Sequence, residues 1–353
     1  MAIKHALWLL ATMVVAGFGL SVNGQQPVKG PVFPPINPAV ARLDQTIGGL
    51  DGPGFAIAYG EDMDLLVAAC DTGTIQGWKK DVLLGIRNGT GSANKLRGHE
   101  GPVLSLAWNG GKVLASVGAD KKILFWSPLE GVISKTITSE HPINAIAMDP
   151  DGKLLAGGGE DYFVHLWDIE AAKPKGKLAE HAEWILAVTF SPDGKQLASG
   201  DFKGKVLLWD VTEGKKIREL TPRPMPPPKV PPDPVRASAL AFAPDGKTIA
   251  IGAGDGVVHL VSVGDGKLVR SMPGHSSAVT GLAFHPGGTL LVSSSRDRTL
   301  RLWNPQNGAA VKTLEGHEAW VEGVVFTNRG TRLASVSADQ TVRLWDLTDP
   351  PKK

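Results

Sequence analysis

The chain has 353 residues, 42% of them hydrophobic, with 43 glycines and 26 prolines, which fits a packed core joined by many turns and excludes general disorder. Lys and Arg number 37 against 35 Asp and Glu, the pI is about 8.5, and basic clusters stay short, which argues against nucleic acid as a partner. The single cysteine, Cys70, excludes an internal disulfide and, inside an apolar run, reads as a buried, inert thiol.

At the N-terminus Lys4 and His5 precede an apolar run over 6–20 and a small residue at Gly24. This pattern predicts a cleaved secretory signal over 1–24 and an exported protein, periplasmic or secreted. The alternative is a membrane anchor formed by 6–20, a run somewhat short for a bilayer. No membrane contact is expected unless that segment stays uncleaved. Residues 25–40 are rich in proline and read as an extended linker. The folded body is placed at 41–349, with a short tail over 350–353.

Within the body, apolar runs of five or six residues are separated by turn chemistry, which predicts antiparallel strands. Trp78, Trp126, Trp167, Trp209, Trp303 and Trp345 each close a third run, and Val261 takes that place in one unit. The spacing is about 42 residues, so seven units result. The turns between first and second runs rhyme: Asp149-Pro-Asp-Gly152, Ser191-Pro-Asp-Gly194, Ala243-Pro-Asp-Gly246 and His285-Pro-Gly-Gly288. Proline pre-sets the first turn angle and glycine accepts the left-handed position. An acidic residue precedes the final run in five units, at Asp120, Asp161, Asp255, Asp297 and Asp339; Thr72 and Lys203 stand there in the other two.

Gly-His pairs near the unit starts (Gly98-His99, Gly274-His275, Gly316-His317) and Trp-Asp pairs near the ends (Trp167-Asp168, Trp209-Asp210, Trp345-Asp346) complete the pattern. Over about 43–349 the chain resembles the WD-repeat β-propeller family, in the form exported by bacteria. The resemblance implies an all-β, seven-bladed propeller of four-stranded antiparallel blades. Each unit would supply the outer strand of one blade and three inner strands of the next. The last blade would then lack an outer strand, and residues 43–47 are expected to supply it and close the ring.

The resemblance also gives the recurring His, Ser, Asp and Trp a structural role, as a hydrogen-bonded chain within a blade. The sets expected are His275, Ser295, Asp297 and Trp303 in unit six, and His317, Ser337, Asp339 and Trp345 in unit seven. Gly118 and Gly159 replace the serine in units two and three and Leu50 replaces the histidine in unit one, so units six and seven should be the most rigid. Catalysis is not expected, because similar sets spread around a ring lack one privileged copy with an oxyanion site. No histidine spacing suits zinc and no Asp-Gly cluster has calcium-loop spacing, so neither metal nor cofactor is expected. Asn88-Gly89-Thr90 is a weak glycosylation match.

Family members mostly bind proteins or peptides on the face carrying the Gly-His turns. On the family pattern the positions lining that face are Trp184, Leu186 and Phe202, Trp320 and Glu322, Leu104, Arg236 and Arg296, with Glu160 and Phe55 beside them. Aromatic anchors flanked by Arg and Glu suit a protein-binding surface. The competing reading is that Trp184 and Trp320 cap the packing between blades. A loop at 221–234, with eight prolines in fourteen residues, should leave from the same face in polyproline conformation. It either shields the aromatics, is itself recognised, or merely tolerates length. The expected function is a monomeric, non-enzymatic platform for a protein or peptide. The alternatives are a propeller-type enzyme or small-ligand binder using the central channel, and a structural module at a membrane.

Overall fold

In the computed structural model of the protein, residues 33–79, 94–111, 113–222 and 236–350 are described. The expected signal at 1–24, the glycosylation match at Asn88, most of the proline-rich loop and residues 351–353 lie outside them.

Among the described residues, twenty-eight strands form seven four-stranded antiparallel sheets. Blade 7 is completed by the first strand, β1 (Arg42–Ile47). Blade 1 holds β2 (Gly54–Gly60), β3 (Leu65–Cys70), β4 (Thr74–Lys79) and β5 (Asn94–Arg97). Blade 2 holds β6 (Val103–Trp108), β7 (Leu114–Gly118), β8 (Lys122–Ser127) and β9 (Val132–Thr138). Blade 3 holds β10 (Ile143–Met148), β11 (Leu154–Gly159), β12 (Phe163–Asp168) and β13 (Lys173–Ala179). Blade 4 holds β14 (Ile185–Phe190), β15 (Gln196–Asp201), β16 (Val206–Asp210) and β17 (Lys215–Glu219). Blade 5 holds β18 (Ala237–Phe242), β19 (Thr248–Ala253), β20 (Val257–Ser262) and β21 (Leu268–Pro273). Blade 6 holds β22 (Val279–Phe284), β23 (Leu291–Ser295), β24 (Leu300–Trp303) and β25 (Ala310–Leu314). The remaining strands of blade 7 are β26 (Val321–Thr327), β27 (Arg332–Ser337) and β28 (Val342–Asp346).

The innermost strands touch in sequence around the ring, and β2 meets β26 to close it. Small residues allow this approach. A Cβ on Gly158 of β11 would fall 2.4 Å from Ile185 of the next blade, and one on Gly200 would fall 2.7 Å from Ala237. The inner strands are buried on both faces, as β3 is at every position, and therefore read as continuous apolar runs without alternation. Outer strands such as β17 are mostly exposed and rich in lysine.

The closing strand pairs as expected from the sequence, with Leu43 opposite Trp345 and Ile47 opposite Val342. Closure reaches further back than that strand. Asn37 N–H donates to Leu347 O at 2.7 Å, Ala41 is buried, and Ile36 packs on the core beneath blades 6 and 7. Phe33 sets its ring edge-on to His285 at 5.7 Å. The described part of the proline-rich segment is therefore fastened to the ring and does not hang from it as a spacer. Since β1 is an outer strand, the chain enters on the side of the first-to-second-strand turns, opposite the Gly-His turns.

Candidate functional site: the Gly-His face

Four blades carry a complete internal chain. In blade 7, Trp345 Nε1 donates to Ser335 Oγ at 2.9 Å, Ser335 lies 2.8 Å from His317 Nε2, and His317 Nδ1 lies 2.8 Å from Asp339. An ionised carboxylate only accepts, so His317 Nδ1 carries the proton and Ser335 donates to Nε2. Blade 6 repeats this with Trp303, Ser293, His275 and Asp297. The serines are thus Ser293 and Ser335, two residues before the expected Ser295 and Ser337. Those two instead accept from the N–H of Asp297 and Asp339 and donate to Ser277 O and Ala319 O.

The same correction extends the set to two more blades. Blade 2 uses Trp126, Ser116, His99 and Asp120, so Gly118 removes nothing from it. Blade 4 uses Trp209, Ser199, His181 and Asp201, the last replacing the carboxylate missing at Lys203. Units six and seven are therefore not singular. In two of the Gly-His pairs the glycine leaves room for the tryptophan: a Cβ on Gly98 or Gly274 would lie 2.9 Å from Trp126 or Trp303.

Blades 1, 3 and 5 are wired differently, and the substitute is always two residues before the closing anchor. Gln76 accepts from Asp51 N–H at 2.7 Å and donates to Gly49 O. His165 bonds Asp161 at 2.7 Å and stacks on Trp167, while His141 is exposed. His259 bonds Ser271 at 2.9 Å. At that position blades 2 and 4 have Leu124 and Leu207.

The electrostatics of the complete chains suit locks. Burial alone would raise the carboxyls of Asp297 and Asp339, but the histidine and threonine donors, with backbone N–H groups, hold them well below the usual range. Burial lowers His99 and His317, only partly offset by their aspartates, so each pair is a neutral imidazole on a carboxylate.

The face itself is built from two positions per blade. The residue before each innermost strand accepts a backbone N–H, at 2.9–3.3 Å, from the residue after the second strand. In blades 1–3 these pairs are Pro53 with Asp71, Pro102 with Ala119, and Pro142 with Glu160. Around blades 4–7 they become Trp184 with Phe202, Arg236 with Gly254, Ala278 with Arg296, and Trp320 with Ala338. The larger groups touch one another. Trp184 and Phe202 meet edge-on at 6.1 Å, the Arg236 guanidinium lies over Phe202 at 5.1 Å, and Arg296 lies over Trp320 at 4.7 Å. Trp320 is 43% exposed. Blades 4–7 thus carry two aromatic and cationic clusters, Trp184 with Phe202 and Arg236, and Arg296 with Trp320, with Gly254 and Ala278 between them, opposite a small, acidic side.

Two expected face residues, Leu186 and Glu322, are interior, as is Phe55. Each is the second residue of its innermost strand, where a bulge shifts the register in every blade. At that ring of positions Asn144, Ser238 and Thr280 donate to Ile185 O, Val279 O and Val321 O of the following blade. Leu104 remains partly exposed. Glu322 makes no such bond: its Oε1 is 3.7 Å from Arg296 Nε, and its Oε2 is buried without a hydrogen-bond partner. Burial pushes its carboxyl up to about 7, against the pull of Arg296. Among the described residues, no group of three or more His, Cys, Asp or Glu is disposed to hold a metal.

A profile described as "WD domain, G-beta repeat" matches residues 91–127, 132–168, 172–210, 266–304 and 308–346, more than half of the chain. That of the anaphase-promoting complex subunit 4 WD40 domain matches 229–278. Anaphase-promoting complex subunit cdh1 of Dictyostelium discoideum is 35% identical over 21% of this chain and 10% of its own length. A probable serine/threonine-protein kinase, PkwA, of Thermomonospora curvata is 39% identical over 15% of this chain and 7% of its own. Cell division cycle 20.6, cofactor of APC complex, of Arabidopsis thaliana is 30% identical over 36% of this chain and 28% of its own. The chain spans less than a third of each of these relatives. With seven closed blades and the matched repeats, the chain belongs to the WD40-repeat family.

Proposed function

We propose that this protein is a non-enzymatic platform that binds a protein or peptide partner across blades 4–7 of the Gly-His face. The observation carrying this reading is the pair of clusters. Equivalent backbone positions hold Pro, Ala and acidic residues on one side, whereas on the other Trp184, Phe202, Arg236, Arg296 and Trp320 stand among Gly254, Ala278 and Ala338. Packing between blades does not require this asymmetry, since the ring closes equally well over proline. Trp320 is exposed and Trp184, Phe202, Arg236 and Arg296 are half-buried beside it or each other, so groups that brace one another present area at low entropic cost. WD40 propellers generally bind protein partners, and two of the relatives above are named as a subunit or cofactor of a protein complex. The reading includes export, which rests on residues 4–24; N-terminal sequencing of the mature chain, with a start at Gln25, is its check.

Selection from a random-peptide library tests the face. Peptides selected on the full chain should bind the Trp184→Ala/Trp320→Ala variant at least roughly tenfold more weakly. Unchanged affinity across the selected set would remove the clusters as the binding surface.

A further inference from the structure

Trp320, Arg296 and Glu322 are stacked from the Gly-His face inward. Trp320 precedes β26, Glu322 is the second residue of that strand, and Arg296 follows β23 of the neighbouring blade. Trp320 is 43% exposed, whereas the side chains of Arg296 and Glu322 are 11% and 3% exposed. The Arg296 guanidinium lies 4.7 Å from the Trp320 ring, and its Nε is 3.7 Å from Glu322 Oε1. That second contact is ionic but too long for a hydrogen bond, and Glu322 Oε2 is buried without a hydrogen-bond partner. A buried carboxylate is thus held at the binding face by one long ion pair.

The other ionisable groups around it are distant or already engaged. Of the strands packed on β26, β22 and β23 carry none, and β2 carries Tyr59, bonded to Asp64 at the far end of blade 1. Arg332 of β27, paired with Asp44, and Arg329 stand at the opposite end of blade 7. On the near side Asp297 and Asp339 are held by His275 and His317, and Glu318 is exposed. The charge state of Glu322 therefore answers to Arg296.

We propose that Arg296 receives a carboxylate of an acidic peptide partner, and that Glu322 yields Arg296 to it by taking up a proton from solvent. The inference rests on the Gly-His face being the binding surface. One guanidinium carries one charge and cannot hold two desolvated carboxylates at once. When the partner's anion engages Arg296, the attraction that keeps Glu322 ionised weakens, and burial then favours the neutral acid. Its carboxyl, already raised to about 7, makes this exchange accessible near neutral pH. Charge selects the partner: a cationic group would be repelled by Arg296, and a neutral one would leave Glu322 as it is. The Trp320 ring supplies the apolar part of the same contact. Linkage fixes the sign, since a proton taken up on binding makes affinity rise as pH falls.

Calorimetry with N-acetylated, histidine-free peptides, selected from a random library on the full chain at about pH 6, tests this. Peptides that weaken in Trp320→Ala should carry a carboxylate whose amidation costs roughly tenfold in the unsubstituted chain and less than about threefold in Arg296→Gln. They should bind roughly tenfold more weakly at about pH 8.5 than at about pH 6, with proton uptake read from the dependence of the binding heat on buffer ionisation. Glu322→Gln should bind them equally well at both pH values and take up no proton. Amidation that costs nothing, or as much in Arg296→Gln, overturns the proposal and leaves the face standing. So does an affinity indifferent to pH, a pH dependence that survives Glu322→Gln, or a selected set that depends on Trp184 but not on Trp320. A set indifferent to both tryptophans overturns the face and the proposal together.

Discussion

Arg42 and Asp346 stand 304 positions apart in sequence, yet Arg42 Nη2 donates to Asp346 Oδ2 at 2.6 Å, and Arg42 Nη1 reaches Thr348 O at 2.9 Å. The pair marks the seam where the first strand is laid against the last. Deleting 41–48 would leave β28 as an open edge and strip the cover from Leu344 and Trp345. The truncated chain should lose cooperative thermal unfolding by circular dichroism. Arg42→Ala alone should cost at most about 1 kcal/mol, because the guanidinium is partly solvated.

The locks should rank by how many buried groups each substitution strands. Ser335→Ala orphans both Trp345 Nε1 and His317 Nε2, and Asp339→Ala orphans His317 Nδ1; each should lower stability by about 1–3 kcal/mol. Asp255→Ala loses only an exposed turn bond to Val257 N–H and should cost a few tenths of that. Ser116→Ala in blade 2 should match Ser335→Ala. Urea midpoints of the four variants decide the ranking, and equal effects for Asp255 and Asp339 would count against it.

Glu322 gives a pH dependence with a defined sign. Its carboxyl is raised by burial from an ordinary 4.5 to about 7, so the folded state binds the extra proton between those values. The associated stability is present below about pH 4.5 and disappears as pH rises through 7. Glu322→Gln, a neutral isostere, should therefore stabilise the protein at pH 8, by up to about 2–3 kcal/mol, and change little at pH 5. Denaturant midpoints of the two proteins across pH 5–9, the range set by that shift, provide the measurement.

The locks oppose this at the acidic end. Protonating the lowered His99 or His317 puts the new proton on Nε2, in a buried site and at the cost of the hydrogen bond accepted from Ser116 or Ser335, so acid favours the unfolded chain below its ordinary 6.5. Asp120, Asp297 and Asp339, also lowered, add a second loss as pH falls below about 4. Melting temperature should fall in two stages on acidification, and His317→Gln should blunt the first.

Much of the architecture was readable because it repeats. Trp-Asp endings, Pro-Asp-Gly turns and Gly-His starts recur in register, and seven copies fix the strand number and the missing outer strand that 43–47 fills. Which serine joins each lock was not readable, since Ser293 and Ser295 both lie on β23 and differ in the pleat only through their relation to the bulge and turn. Leu186 and Glu322 failed for a related reason. Alternation predicts that they share a face with Trp184 and Trp320, but a bulge at the head of each innermost strand turns them inward. Nothing in the sequence around Gln76, His165 and His259 announced that they replace the missing locks of blades 1, 3 and 5.

By itself the sequence determined what is local and periodic: the β class, the seven units, the turn geometries and the unit that must borrow a strand. These follow from side-chain spacing and backbone preferences acting within a few residues. Only the tertiary structure decided which of those residues meet. The meeting of Trp184, Phe202 and Arg236, that of Arg296 and Trp320, and the burial of Glu322 each depend on how separate blades are placed around a ring. Contacts between positions a blade or more apart are set by packing, and no local pattern encodes them.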